Sequence, residues 1–474
     1  MGQKIIIEPV TRVEGHGKVT IHTNGDGEVA DVRFHVNEFR GFEKFSEGRM
    51  FYEMPVISQR ACGICPVSHH LAAAKAGDAI LGVKISPTAR KLRELLHMGQ
   101  YVQSHSMHFF HLASPDLLIG FDAPPAKRNV FGVVEANAEL ALKAVNLRKF
   151  GQEVIKKLTT RRIHPSWAIP GGVSSSLLPS DREDILAKID GIIADVQLGV
   201  GIIRDFALKN TALFEDFGAY DAGCMGLVND KGGLELYDGW IRLKDSKGNI
   251  VLDKHDPADY LSVIAEKVEK WSYMKFPYYK PWGYPKGVYK VGPLGRLGVA
   301  DHIETPLANQ EFGRFKEITR GGRPRGSLWF HYARMIEDLY AAERIKELVS
   351  DPTICNTDIV VTSDKYQPRG VGVLEAPRGT LIHDYRVDET GKLTNVNLIV
   401  ATGHNNWAIN AAVTSVAKAF VKPKALTEGQ LNRVEAAIRC YDPCLSCATH
   451  ALGQMPLVLE LVGPDGEIID QISR

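Results

Sequence analysis

Apolar and polar positions alternate at the start of the chain and then change period. Lys4 to Glu8 is a short apolar run. Lys18–Thr23 and Glu28–Asn37 flank Asn24-Gly25-Asp26-Gly27, which reads as a β-hairpin turn. Helical spacing follows over Pro87–Leu112, with Ser86 placed as an N-cap. It recurs over Glu135–Leu158 and in two stretches within Ser180–Glu215, where Ser180 precedes acidic residues in a capping-box-like start. Tyr220–Leu252 returns to short strands, with Trp240–Leu243 and Asn249–Leu252 bracketing a Lys-Gly-Asn turn. Lys275–Gly298, rich in Pro, Gly and Tyr, reads as a long irregular connection. Leu328–Ser350 is helical, followed by β-like pieces at Asp358–Thr362, Val371–Leu374 and Val396–Ala401. A helix at Thr427–Arg439 precedes a last predicted hairpin, Leu457–Val462 and Glu467–Ile472 around Gly463-Pro-Asp-Gly466. Without repeats or low-complexity linkers, these elements predict an α+β fold, predominantly helical. A large helical body would carry β-rich N-terminal, mid-chain and C-terminal segments as one unit.

Charge narrows the function classes. The 57 basic and 56 acidic residues leave a net charge of +1, so no strong field draws in nucleic acid or anionic lipid. No stretch approaches ~18 uninterrupted apolar residues, so no membrane span is expected. MGQKIIIEPV lacks the cationic and apolar regions of a secretory signal. Seven cysteines, an odd and sparse count, point to reduced thiols and a cytoplasmic location.

Two C-x-x-C pairs, Cys62-Gly-Ile-Cys65 and Cys444-Leu-Ser-Cys447, carry the chemistry. Together they suggest four thiolates meeting at metal. Compact zinc modules space their pairs by about 15–20 residues, whereas Cys65 and Cys444 are 379 positions apart. The site must therefore join distant parts of a finished fold. On spacing alone, a four-cysteine zinc site and an iron–sulfur cluster both stay open.

The flanking residues add a resemblance. "EPVTRVEGHGK", "FRGFEKF", "QRACGICPVSHH", "EAPRG" and "RCYDPCLSCATH" run collinearly from Glu8 to His450. In these motifs the chain resembles the large, catalytic subunit of nickel–iron hydrogenases. "KFPYYKPWGYPKGVYKVGPLGRL", "IVATGHNNWAIN" and "DPCLSCATHALGQMPL" look like the soluble, bidirectional, NAD(P)-linked class in particular. The resemblance implies reversible heterolytic cleavage of H2. Nickel would be held by Cys62, Cys65, Cys444 and Cys447, with Cys65 and Cys447 bridging to an iron that carries CO and cyanide. Two divalent metals, four thiolates and two cyanides sum to about −2, a buried charge that needs directed donors. By the same resemblance, Arg378 and Pro377 lie against the diatomic ligands, Thr402 donates to a cyanide, and His69 donates to a bridging sulfur. Cys444 takes the proton from H2 and Glu14 relays it outward. Glu43, the Leu398 carbonyl and His450 would hold a smaller ion, magnesium.

Electrons need an exit. Cys224, Cys355 and Cys440 are scattered without cluster spacing, and there is no G-x-G-x-x-G after a strand and no Walker A. No NAD, flavin or iron–sulfur cluster is therefore expected in this chain. The expected partners are a small subunit with iron–sulfur clusters, a flavin-containing NAD(P) module, nickel-insertion proteins and a maturation protease. The resemblance divides the chain into a catalytic unit, 1–450 (β-rich 1–40, a helical body, a β insert at about 220–255), and a maturation extension, 451–474. Cleavage would fall between His450 and Ala451. The alternatives are a non-catalytic redox-complex subunit of the same ancestry and a scaffold with structural zinc on the four cysteines.

Overall fold

A computed structural model describes residues 4–449 and the backbone of two strands, 458–462 and 468–473. The N-terminal alternation forms an antiparallel sheet of β1 (Lys4–Ile7), β2 (Gly17–Thr23) and β3 (Val29–Val36). Val19, Ile21, Phe34 and Val36 fill its inner face. At its predicted turn the Asn24 carboxamide oxygen accepts from the amides of Asp26 and Glu28.

The first long helix, α1 (Pro66–Leu81), has no predicted counterpart. It is buried on nearly every side, so it carries no polar stripe to reveal its period. α2 (Pro87–Met107) is capped as expected, with Ser86 Oγ accepting from the Ala89 amide. It runs on into π-wound turns at His108–Ala113 and Pro115–Ile119. α3 (Ala138–Thr159) follows, then α4 (Pro179–Lys209), a continuous helix of 31 residues with a short turn of helix at Thr211–Asp216 behind it. The expected Ser180 start is corrected: Leu178 occupies the cap position without a side-chain bond, and Pro179 supplies the pre-set φ of the first turn.

The mid-chain insert is a sheet of four strands. β4 (Gly223–Val228), β5 (Trp240–Lys244) and β6 (Ile250–His255) run antiparallel, and β7 (Tyr289–Lys290) adds parallel to β4. The irregular connection expected over 275–298 is therefore corrected. Phe276–Tyr279 pairs with Ile264–Lys267, and Gly292–Val299 forms a helix, α5. α6 (Pro306–Ile318) and α7 (Trp329–Ser350) complete the body. α2 packs on α3 and α7, and α7 packs on α4. Asp358–Thr362 makes a single bridge, Val360 to Gly172, rather than a strand. β8 (Arg369–Ala376), β9 (Gly379–Val387) and β10 (Leu393–Ile399) form an antiparallel meander. α8 (Asn406–Phe420) and α9 (Glu428–Cys440) lead to the second cysteine pair. β11 (Val458–Val462) and β12 (Ile468–Ser473) pair antiparallel, as the last hairpin requires.

One contact sets the site's frame. α1 lies directly on β8 because Gly370 and Gly372 present no side chain to it. A Cβ on Gly372 would sit 2.0 Å from the Ala72 carbonyl oxygen and 2.6 Å from the Ala76 amide nitrogen. Gly372→Ala should therefore lower stability by about 1–3 kcal/mol through overpacking, read as a shift of the urea unfolding midpoint.

Candidate metal centre

Each cysteine pair sits where a helix meets a loop. Cys62 closes the 3₁₀ turn Ser58–Ala61, and Cys65 occupies the cap position of α1 ahead of Pro66. The second pair follows α9 by way of Asp442, which holds a left-handed φ of 51° before Pro443. That turn reverses the chain and lays Cys444 beside Glu14 as a parallel bridge, with the Leu445 amide donating to the Glu14 carbonyl. The two ends of the chain are fastened together nearby. Arg12 donates to the Leu112 carbonyl, Asp116 and Asn432, while Arg439 bonds Asp116, Glu435 and the Thr11 carbonyl.

The outcome is one buried tetrad of sulfurs. Cys62 Sγ lies 2.9 Å from Cys65 and 3.3 Å from Cys444, and Cys65 lies 3.5 Å from Cys447. All four sulfurs fall within 4.8 Å of one another, and all four residues are buried. Among the described residues no other set of three or more His, Cys, Asp or Glu converges in this way. Burial alone would raise the Cys62 pKa. Thiols donating to it and the Arg378 charge outweigh that and hold it well below the ordinary thiol range. Burial, first of all, pushes Cys444 and Cys447 well up. Four soft, buried sulfurs, with one thiolate already favoured, suit nickel or another thiophilic metal.

Arg378 stands over this tetrad. Pro377 and Arg378 are the two-residue turn between β8 and β9, where Ala376 pairs with Gly379. Buried Arg296 fixes the turn from behind. It pairs with Glu337 and Glu375 and donates to the carbonyls of Ala376 and Pro377. The Arg378 guanidinium donates to Asp442 at 2.9 Å and, at 3.4 Å, to Ser104 Oγ. Its Nε has no partner among the described residues. Thr402 Oγ accepts from the Cys444 amide at 3.0 Å, which leaves its hydroxyl proton to be donated elsewhere. His69 is buried four residues past Cys65, its Nδ1 3.1 Å from His383 Nε2. His383 in turn meets the Tyr385 hydroxyl.

Glu14 is half-buried. Its Oε2 accepts from the Ser446 amide at 3.2 Å, and Oε1 has no hydrogen-bond partner among the described residues. Glu43 and Leu398 do meet, with the Leu398 amide donating to the Glu43 carboxylate at 2.8 Å. Burial raises the Glu43 pKa to about 7. His450 and Ala451 lie outside the described residues. The sequence reading missed Asp442, Ser104 and Arg296. Asp442 lies inside the quoted "YDPCLSC" motif and could have been singled out as the acid two residues before a ligand.

Glu43 gives a pH prediction. Unfolded, it ionises near 4.5; folded, near 7. The folded state therefore keeps the extra proton between those values, and its advantage is lost as pH rises through 7. Metal-free protein should lose up to about 3 kcal/mol of stability over that range from this group. Unfolding midpoints of Glu43→Gln, which keeps the Leu398 bond, should be flatter across the same window. Identical pH profiles would refute the assignment.

Comparison with known proteins agrees with this arrangement. A family profile described as nickel-dependent hydrogenase matches residues 40–130 and 230–450, and one described as HoxL-like matches residues 4–39. The chain belongs to the nickel-dependent hydrogenase family, as the large catalytic component that acts on H2. Among particular relatives, it is 46% identical to the NAD-reducing hydrogenase HoxS subunit beta of Cupriavidus necator, over 100% of both chains. It is 43% identical to a chain of the vhc F420-non-reducing hydrogenase of Methanococcus voltae, over 97% of each. A crystal structure of an NAD+-reducing NiFe hydrogenase in the H2-reduced state superposes with a TM-score of 0.92 at 47% identity, covering 94% of this chain and 99% of that one. The NiFeSe hydrogenase of Desulfovibrio vulgaris Hildenborough shares the fold, with a TM-score of 0.77 at 24% identity over 95% and 100% of the chains. No described helix is long and apolar enough to cross a membrane.

Proposed function

We propose that this chain is the catalytic subunit of a cytoplasmic nickel–iron hydrogenase that passes electrons from H2 to NAD(P) through an iron–sulfur partner and a flavin module. The observation that carries it is the buried sulfur tetrad from opposite ends of the chain. The NAD link is supported by full-length identity to a subunit of an NAD-reducing hydrogenase. Cys62, Cys65, Cys444 and Cys447 would hold the nickel, Cys65 and Cys447 sharing the iron with its CO and cyanide ligands. When bound, that centre supplies the Lewis acidity that polarises H2 and the redox couple that takes its electrons.

The protein's own groups then divide the work. Cys444 Sγ would receive the proton. Glu14, bridged to Cys444 through the backbone and with Oε1 open, carries it away from the core. Arg378, fixed by Asp442, would offer its remaining N–H groups to the diatomic ligands, with Pro377 beside it in the same turn. The free Thr402 hydroxyl proton would be the donor to a cyanide, and His69 would help orient a sulfur shared with the iron. Glu43, Leu398 and His450 would hold magnesium. Its bound charge would remove the cost of ionising Glu43.

We also propose that 451–474 is a maturation extension, cut between His450 and Ala451 by a protease once nickel-insertion proteins have loaded the site. Nickel-loaded protein that turns over H2 should have lost 451–474 by mass spectrometry.

Metal analysis with infrared spectroscopy tests the whole reading. Nickel and iron near one each, with bands of metal-bound CO and cyanide, is the expected result. Zinc without nickel would overturn it in favour of a structural site.

A further inference from the structure

Away from the cysteine tetrad, the mid-chain sheet lines up three side chains. Lys290 on β7 is in register with Cys224 on β4, and Cys224 with Lys244 on β5. Paired residues on adjacent strands share a face, so two ammonium groups flank one thiol. The thiol brings no negative charge. It rests on α5, where a Cβ on Gly298 would lie 2.7 Å from its sulfur, and burial raises its pKa.

A loop then folds over this row. Arg320, Gly321 and Gly322 all hold left-handed φ values, and the turn they make carries Arg323 and Arg325 to the rim. Arg323 is pinned there by its bond to the Lys247 carbonyl. Beneath the loop lies a cleft of about 20 Å³, room for one particle of water or chloride size.

The acids lining or bordering the cleft are already engaged. Asp221 pairs with Arg325 at 2.9 Å. Asp245 accepts from the amides of Lys247 and Asn249. Asp301 pairs with Arg242 and Lys244. Lys290 is the exception. It is 4% exposed, and no carboxylate lies within ion-pair distance among the described residues. Its ammonium has only two long contacts, 3.5 Å to the Pro324 carbonyl and 3.4 Å to that of Arg325, besides the Tyr220 ring face at 4.4 Å. One of its three donors is unused. Burial lowers its pKa to about 8, so at neutral pH it remains mostly charged. A buried cation among other cations needs a counter-charge.

We propose that this cleft binds a small monatomic anion of the chloride class, held by Lys290 Nζ and closed in by Lys244, Arg323 and Arg325. Tyr220, under the ammonium, meets the Tyr441 hydroxyl at 3.1 Å. The anion would thus brace the wall behind the C-terminal cysteine loop.

Bromide is the probe, on the purified, metal-loaded protein. Crystals grown in sodium bromide should show an anomalous peak at hydrogen-bond distance from Lys290 Nζ. The melting temperature should rise with bromide but not with gluconate at equal ionic strength, which controls for screening. Lys290→Met should abolish both. Should that variant not fold, the rim pair Arg323→Gln with Arg325→Gln, both exposed, should weaken the apparent bromide affinity about tenfold, on the order expected for lost rim charges. Equal responses to bromide and gluconate, no peak at Lys290, or a site that takes phosphate and rejects bromide would each overturn the proposal.

Discussion

Replacing Arg378 with Met is expected to destabilise the metal-free protein by about 3–5 kcal/mol, the usual cost of stripping one partner from a buried ion pair. Arg378 and Asp442 are 2% and 3% exposed, and the guanidinium is the closest cation to the acid. Burial raises the Asp442 pKa, opposed by the charges of Arg378 and Arg334 and by the Arg378 hydrogen bond. Without Arg378 the carboxylate must either take up a proton or stay charged with Arg334 as its remaining cation. Its Oδ2 is already without a partner among the described residues. The tetrad loses as well, because Arg378 is among the groups that favour a thiolate at Cys62. Adding Asp442→Asn should recover much of the loss, since the stranded charge goes with it. Unfolding midpoints of the two single variants and the double variant form the measurement. If Arg378→Met is as stable as the parent, the pair does not hold the C-terminal cysteine loop. Arg378→Lys keeps the charge but not the planar fork, and should fall between the two.

What the sequence made legible follows from which forces are local. β1 to β3, α2 and α7 were readable because period and capping sit in neighbouring residues. The Ser86 cap is of that kind. α5 was not readable, because Gly-Pro-Leu-Gly-Arg-Leu-Gly looks like punctuation. Its glycines are set by neighbours distant in sequence. A Cβ on Gly295 would lie 3.2 Å from the Met225 carbonyl oxygen, and Gly298 makes room for Cys224. α1 was missed for the opposite reason, since total burial erases the amphipathic pattern. At the site, the cysteine spacing and the Glu-Ala-Pro-Arg turn were visible as motifs. The groups that hold them were not. Arg296, which bonds the Pro377 carbonyl of that turn from 81 positions away, reads in sequence as one more arginine.

Glu14→Gln should cut H2 turnover by about 10²–10⁴-fold, the range lost with a positioned proton carrier. The nickel and iron content should not change. The substitution is chosen for what it spares. A glutamine oxygen can still accept from the Ser446 amide, and the bridge to Cys444 is made by backbone alone. Only the ability to pick up and release a proton is removed. The metal-bound CO and cyanide bands should therefore stay in place while proton exchange with solvent and net turnover fall together. Glu38→Gln is the control. Glu38 accepts from Ser446 Oγ beside the same loop and has no assigned part in the chemistry, so its loss should leave turnover near the parent value. If Glu14→Gln turns over H2 like the parent, the proton leaves by another route. The buried His69–His383–Tyr385 line would then be the next to test, since it is a run of proton-bearing groups starting beside the first cysteine pair.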